Sequence, residues 1–260
     1  FLITSQEINP TLDSTGLHSV TSSNIGWTSS LPYITPPYIT DHLELYVDAA
    51  VPSSYPGTGN TLYDLSPNGF DMSIGTGSIW NSALGGVINF DGSYSGPNDL
   101  DGPVSGFNII TVTHSTGYTM ETMVKFNNVS STHGIFTFCG GPWGNTGYIN
   151  LQLSNTTLRW EAVTGGGSSF YPSYTFASDT WYHIVGTYDG SFLVVYVNGV
   201  MIGSSAQSGS INTNSTARFV LGMWDGPLNG SIGFARFYSK PLLADDIALN
   251  FNNNKTRFGL

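Results

Sequence analysis

The stretch "WYHIVGTYDGSFLVVYVNGV", residues 181–200, decides the fold. Two apolar runs, 183–188 and 192–197, are rich in β-branched and aromatic residues, the composition of strands. Asp189-Gly190 separates them, and Asn198-Gly199 closes the second. Both dipeptides readily take the positive φ values that tight two-residue hairpin loops require. The stretch therefore reads as strand, turn, strand, turn and the start of a third strand.

The same grammar runs outward from it. Short apolar segments recur at 43–47, 87–90, 118–126, 135–138, 148–153, 158–163, 218–221 and 231–238, with turn residues between them. Within one of them Leu158, Trp160 and Ala162 share a face while Arg159 and Glu161 share the other. Many short strands at this spacing predict an all-β, two-sheet antiparallel sandwich. Near the end, "LLADDIALNFNN" predicts a short C-terminal helix. Ile247 and Phe251 stand four apart, and Asp245 and Asp246 fall in the first turn, where the helix dipole favours acids. Residues 1–40 differ: they are rich in Ser, Thr, Asn and Pro, without a sustained period. They end in "PYITPPYIT", where each Pro fixes φ and pushes the preceding residue toward extended geometry. The expected organisation is an extended N-terminal arm, 1–40, followed by one domain, 41–260. Tyr33, Ile34, Tyr38 and Ile39 give the arm apolar anchors for docking on a neighbouring subunit.

Composition narrows the function. Of 260 residues only 9% are charged, and the formal net charge is −10 with seven Lys plus Arg. A nucleic-acid partner needs a basic footprint, which is missing. A polybasic membrane contact is excluded on the same ground, and no apolar run of about 18 residues occurs. The single cysteine, Cys139, excludes an internal disulfide and is expected in the core. Hydrolysis of a glycosidic bond needs two flanking carboxylates. The four glutamates, Glu7, Glu44, Glu121 and Glu161, do not start an E-x-D-x-x-E pattern. No G-x-S-x-G elbow is present. The five histidines are scattered without zinc spacing, and His183 reads as a satisfied core histidine. "TGGGSS", 164–169, lacks the Lys and helix of a phosphate loop and reads as a loop. No catalytic residue and no cofactor are expected.

Three blocks carry a family resemblance: "TMETMVKFNN", "WYHIVGTYDGSFLVVYVNGVMIG" and "LGMWDGPLNGSIGFARFYSKPLLADDIALNF". Together and in this order they resemble the laminin-G-like, concanavalin-A-like jelly-roll family. The resemblance covers residue 43 to the C-terminus and implies a jelly roll. Leu243 stands where that family often has a Ser or Thr opening the terminal helix. A narrower resemblance is carried by "LELYVDAAVPSSYPGTGNTLYDLSPNGFDMSI", "IWNSALGGVINFDGS" and "NNNKTRFGL". These are similar to laminin-G-like modules of bacteriophage structural proteins. They imply a non-enzymatic virion protein: an extracellular, surface-exposed decoration or appendage subunit. Its partners would be other virion proteins and host-surface polysaccharide, and its assembly a homo-oligomer. A carbohydrate-binding adhesin, from a tail or cell surface with no capsid role, is the alternative.

The candidate contact residues lie in aromatic loops: Trp143 and Asn145 in "GGPWGNTGY", Tyr171 in "SSFYPSY", and Trp224 and Asp225 in "MWDGP". Such residues serve glycan contact, protein contact or loop packing alike. Pentraxins, relatives of this fold, carry acidic calcium ligands in the loop corresponding to "MWDGPLNG", which makes Asp225 a calcium candidate. Asp91, Asp99 and Asp101 form another acidic loop. Turn formation is the competing role for all four.

Overall fold

In a computed structural model the 181–200 stretch forms two successive hairpins. The second turn is as read: Asn198 and Gly199 both have positive φ, 51° and 78°, between the paired Val197 and Val200. This is the backbone of a type I′ loop. The first turn is shifted by one residue. The Asp189 N–H donates to the Phe192 carbonyl at 3.3 Å, so Gly190 and Ser191 are central, with Gly190 at φ 91°. Glycine at the first central position is the type II′ pattern. Asp189 fixes the turn instead of occupying it: its Oδ1 accepts from the Ser191 and Phe192 N–H groups at 2.8 and 2.7 Å.

The structure describes residues 10–12, 18–21, 28–30, 38–75, 77–93, 100–101, 117–140, 148–162, 168–209, 217–223 and 225–260. The chain divides into two units, Phe1–Pro36 and Pro37–Leu260. In the first, β1 (Pro10–Leu12), β2 (His18–Thr21) and β3 (Thr28–Ser30) pair antiparallel in that order. An extended arm is therefore corrected here to a small sheet. Its strands of three or four residues are too short to print a period in the sequence.

The second unit holds β4 (Leu43–Asp48), β5 (Thr61–Leu62), β6 (Met72–Ile74), β7 (Ser78–Asn81), β8 (Val87–Asp91), β9 (Leu100–Asp101), β10 (Tyr118–Phe126) and β11 (His133–Gly140). These are followed by β12 (Tyr148–Ser154), β13 (Thr157–Ala162), β14 (Ser168–Phe170), β15 (Trp181–Tyr188), β16 (Phe192–Val197), β17 (Val200–Ala206), β18 (Ala217–Leu221), β19 (Asn229–Tyr238) and the helix α1 (Ala244–Asn254). Every strand predicted from the sequence is present. Two antiparallel sheets result. One has the order β17-β16-β15-β10-β19-β8-β7, with β4 also pairing β19; the other runs β14-β13-β12-β11-β18-β9-β6-β5. The loop expected at 164–169 is corrected at its end, since Ser168 and Ser169 begin the edge strand β14.

Burial follows the alternation. Met120, Val124 and Phe126 of β10 face the sandwich interior with Phe136, Phe138, Leu151, Trp160 and Phe219. Met123 faces the other way, into a second apolar cluster with Tyr46, Val185, Phe234, Ile247 and Phe258. Helix α1 thus covers the outer face of the first sheet. Leu243 caps it without a side-chain acceptor, but the Asp246 carboxylate accepts from the Leu243 N–H at 3.2 Å. Beyond the helix, Nη1 of Arg257 meets both oxygens of Asp48 at 2.8 Å. Among the described residues no helix is long and apolar enough to cross a membrane.

Candidate functional site

The outward face of the second sheet is polar. Register brings Thr137 opposite Asn150, Asn150 opposite Glu161, and Glu161 opposite Ser169, with Gln152 opposite Arg159 one pair along. These side chains point away from the core because Leu151, Leu158, Trp160 and Ala162 point into it. They bond along the sheet. The Thr137 hydroxyl donates to Asn150 at 2.8 Å, and the Asn150 amide donates to Gln152 at 2.6 Å.

Arg159 is the hub at the β13–β14 edge. Its Nη2 donates to Glu161 Oε1 at 2.5 Å, and Nε and Nη2 reach the Ser169 hydroxyl at 3.2 and 3.1 Å. Ser169 donates in turn to the same Glu161 oxygen at 2.6 Å. The Arg159 Nη1 lies 3.5 Å from Asp225 Oδ2, and the guanidinium carbon lies 5.9 Å from the Tyr171 ring centre. Tyr171 is 52% exposed, and the Asp225 side chain 54%. Glu161 is buried, yet its Oε2 has no hydrogen-bond partner among the described residues. A buried carboxylate oxygen without a donor is costly. The edge thus presents the Asp225 carboxylate, a guanidinium and a half-open aromatic ring together, a set suited to a hydroxyl-rich ligand.

Of the five contact residues read from the sequence, Tyr171 and Asp225 meet here through Arg159. Trp143, Asn145 and Trp224 lie outside the described residues, as do Tyr33 and Ile34. Tyr38 and Ile39 are seated on their own domain. The Tyr38 ring centre is 4.6 Å from that of Tyr46, and the Ile39 N–H donates to Asn250 at 2.9 Å. Asp225, the calcium candidate, pairs with a guanidinium instead and sits at φ 56°, a turn conformation. Asp91 also forms a turn, accepting from the Ser93 N–H at 2.8 Å. Asp99 lies outside the described residues and Asp101 falls in β9. Among the described residues no group of three or more His, Cys, Asp and Glu could hold a metal ion. Arg159, Glu161 and Ser169 were missed as site residues, although the alternation in β13 already placed the first two on the non-core face.

A second polar cluster is closed to ligands. His183 Nε2 lies 2.7 Å from Glu121 Oε1, a pairing that could serve acid–base chemistry, but both side chains are fully buried. His183 is therefore in the core, as read from the sequence, but it is not fully satisfied: Glu121 holds its Nε2, while its buried Nδ1 has no hydrogen-bond partner among the described residues.

The family model described as the concanavalin A-like lectin/glucanases superfamily (Laminin_G_3) matches residues 102–248, more than half the chain. The chain belongs to this family. No curated protein matches it significantly in sequence. Among solved structures, this laminin-G-type chain is similar to the binding domain of Paraclostridial Mosquitocidal Protein 1, with TM-score 0.61 at 16% identity over 81% of this chain and 52% of that one. It also resembles the binding domain of botulinum neurotoxin DC in complex with SialylT, with TM-score 0.63 at 13% identity over 82% and 52%. The chain spans about half the length of these toxin domains. A third similar structure is domain 4 of AbnA, an extracellular arabinanase of Geobacillus stearothermophilus, in complex with arabinotriose. Its TM-score is 0.59 at 18% identity, over 82% of this chain and 99% of that one. At these identities the likeness is one of fold.

Proposed function

We propose that this protein is a non-enzymatic glycan-binding module whose contact surface is centred on Arg159. The observation that carries the reading is the Arg159 guanidinium with the half-exposed Tyr171 ring and the half-exposed Asp225 carboxylate beside it. Family membership supports it, as do the sugar complex of the arabinanase domain and the SialylT complex of the toxin domain. Arg159 is already paired with two carboxylates, Glu161 and Asp225, so this cluster suits neutral glycans better than acidic ones. On a glycan array the protein is expected to bind neutral oligosaccharides. Arg159→Ala and Tyr171→Ala are each expected to weaken that binding about tenfold or more. A silent array with folded protein, or binding unchanged in both variants, contradicts the proposal.

The blocks that resemble phage modules support a location for this module: the outer surface of a virion, as a decoration or appendage subunit assembled as a homo-oligomer. Docking is then assigned to residues 1–36, because Tyr38 and Ile39 are used within the second unit. Particles assembled with a chain beginning at residue 37 are expected to lack the subunit. Normal incorporation of the shortened chain rejects the docking role, and absence of the full chain from particles favours the free-standing adhesin.

A further inference from the structure

A pocket of about 430 Å³ opens away from the Arg159 edge, lined by Tyr55, Gly57, Gly59, Asn60, Ser78 and Trp80 among others. It lies where β5 ends one sheet and β7 ends the other, so both edges of the sandwich contribute. Its walls are pre-set. The Trp80 indole N–H donates to the Ala49 carbonyl at 3.0 Å, which fixes the ring and leaves only its apolar surface for a ligand. Tyr55 packs against Trp80 with ring centres 5.6 Å apart, and its hydroxyl donates to the Gly59 carbonyl at 3.1 Å. The Ile74 N–H donates to the Asn60 carbonyl at 2.8 Å, which holds the base of the loop.

The rim is kept bare. Gly57 and Gly59 both have φ of 88°, and a Cβ built on either meets no atom within 4 Å. The glycines are therefore required by the backbone and not by packing, and their effect is to leave the mouth open. The lining carries no charged side chain, and Trp80 is only half-buried. A fixed tryptophan face beside a carboxamide and bare backbone amides matches a ring with one apolar face and several hydroxyls. The volume is that of a small-molecule site.

We propose that this pocket is a second ligand site, taking a neutral sugar residue stacked on Trp80 and hydrogen-bonded by Asn60. The proposal is independent of the Arg159 surface. Its test is an NMR titration of the full chain with methyl glycosides of neutral pentoses and hexoses, with N-acetylneuraminic acid as the acidic comparison and indole as the apolar one. A saturable shift of the Trp80 indole N–H and the Gly57 and Asn60 amides is expected for at least one neutral glycoside, with a Kd on the order of 1 mM. The acidic sugar is expected to give no saturable shift. Trp80→Ala is expected to weaken the neutral sugar about tenfold or more. Asn60→Ala, which removes an exposed side chain and so spares the fold, is expected to weaken it severalfold. Arg159→Ala leaves this titration unchanged while weakening array binding, so the two sites fail separately. Absence of shifts at these residues with every neutral glycoside overturns the proposal. So does sugar binding indifferent to both pocket variants, saturation by indole alone, or a preference for the acidic sugar.

Discussion

Replacing Glu121 with alanine is expected to lower the unfolding free energy by about 3–5 kcal/mol. Its carboxylate is fully buried on the outer side of the first sheet, under α1. Oε1 meets His183 at 2.7 Å and Arg236 Nη1 at 3.3 Å, and Oε2 accepts from Tyr238 at 3.2 Å and Asn250 at 2.9 Å. Arg236 is equally buried, with the rings of Tyr38, Tyr46 and Phe234 at 4.6, 4.5 and 4.2 Å. Its Nε and Nη2 have no hydrogen-bond partner among the described residues. Removing the carboxylate strands that cation in an aromatic box, the costly half of breaking a buried pair. Arg236→Met in the Glu121→Ala background is expected to recover part of the loss, because the box then closes on an apolar chain. No recovery would show that the cation is not the source of the cost.

The same carboxylate gives the fold an acid dependence of definite sign. Burial pushes the Glu121 pKa up, but Arg236, His183 and Tyr238 outweigh it and hold the group below its ordinary value of 4.5. A group whose pKa is lower folded than unfolded stabilises the fold above the unfolded value. That stability is lost as pH falls through the folded one. The urea midpoint should therefore decline below about pH 4.5 and flatten in Glu121→Gln. Identical pH profiles for the two proteins would contradict an ionised Glu121.

Trp160→Ala is expected to cost about 3–5 kcal/mol, the range for deleting a large core aromatic. Trp160 is fully buried between the sheets and ties them directly, its indole N–H donating to the Thr187 carbonyl at 3.0 Å. Gly186, beside that carbonyl, is bare to admit the ring: a Cβ there would come within 2.5–2.7 Å of three ring atoms. Gly186→Ala is thus expected to cost about 1–3 kcal/mol by overpacking. Trp160→Phe, which keeps an aromatic but loses the hydrogen bond, should fall below the alanine variant in cost. Denaturant midpoints at constant slope check all three. An alanine cost under about 1 kcal/mol would mean that the site collapses around the gap, against the packing described.

What the sequence made legible was whatever depends on near neighbours. The alternation of Leu158, Trp160 and Ala162 against Arg159 and Glu161 was correct to the residue. The Asn198-Gly199 turn was correct in type, and the Asp189-Gly190 turn slipped by one because an Asp beside a Gly can flank a loop as well as fill it. What stayed hidden depends on partners far along the chain. Glu121 and Arg236 are 115 residues apart, and only the β10–β19 register sets them opposite each other. Likewise Asp225 reaches Arg159 from a different loop, so the site at the β13–β14 edge had no local signature. Strands of two or three residues, such as β5 and β6, are too short to show a period, so the Trp80 pocket beside them was invisible too.

The central claim is that neutral glycans are held at the β13–β14 edge. Its most direct test is amide hydrogen exchange on the full chain, with and without the strongest neutral oligosaccharide found on the array. The account predicts ligand-dependent protection in 157–162, 168–171 and around Asp225, and its loss in Arg159→Ala. Protection confined to other segments, or none at saturating sugar, would contradict it.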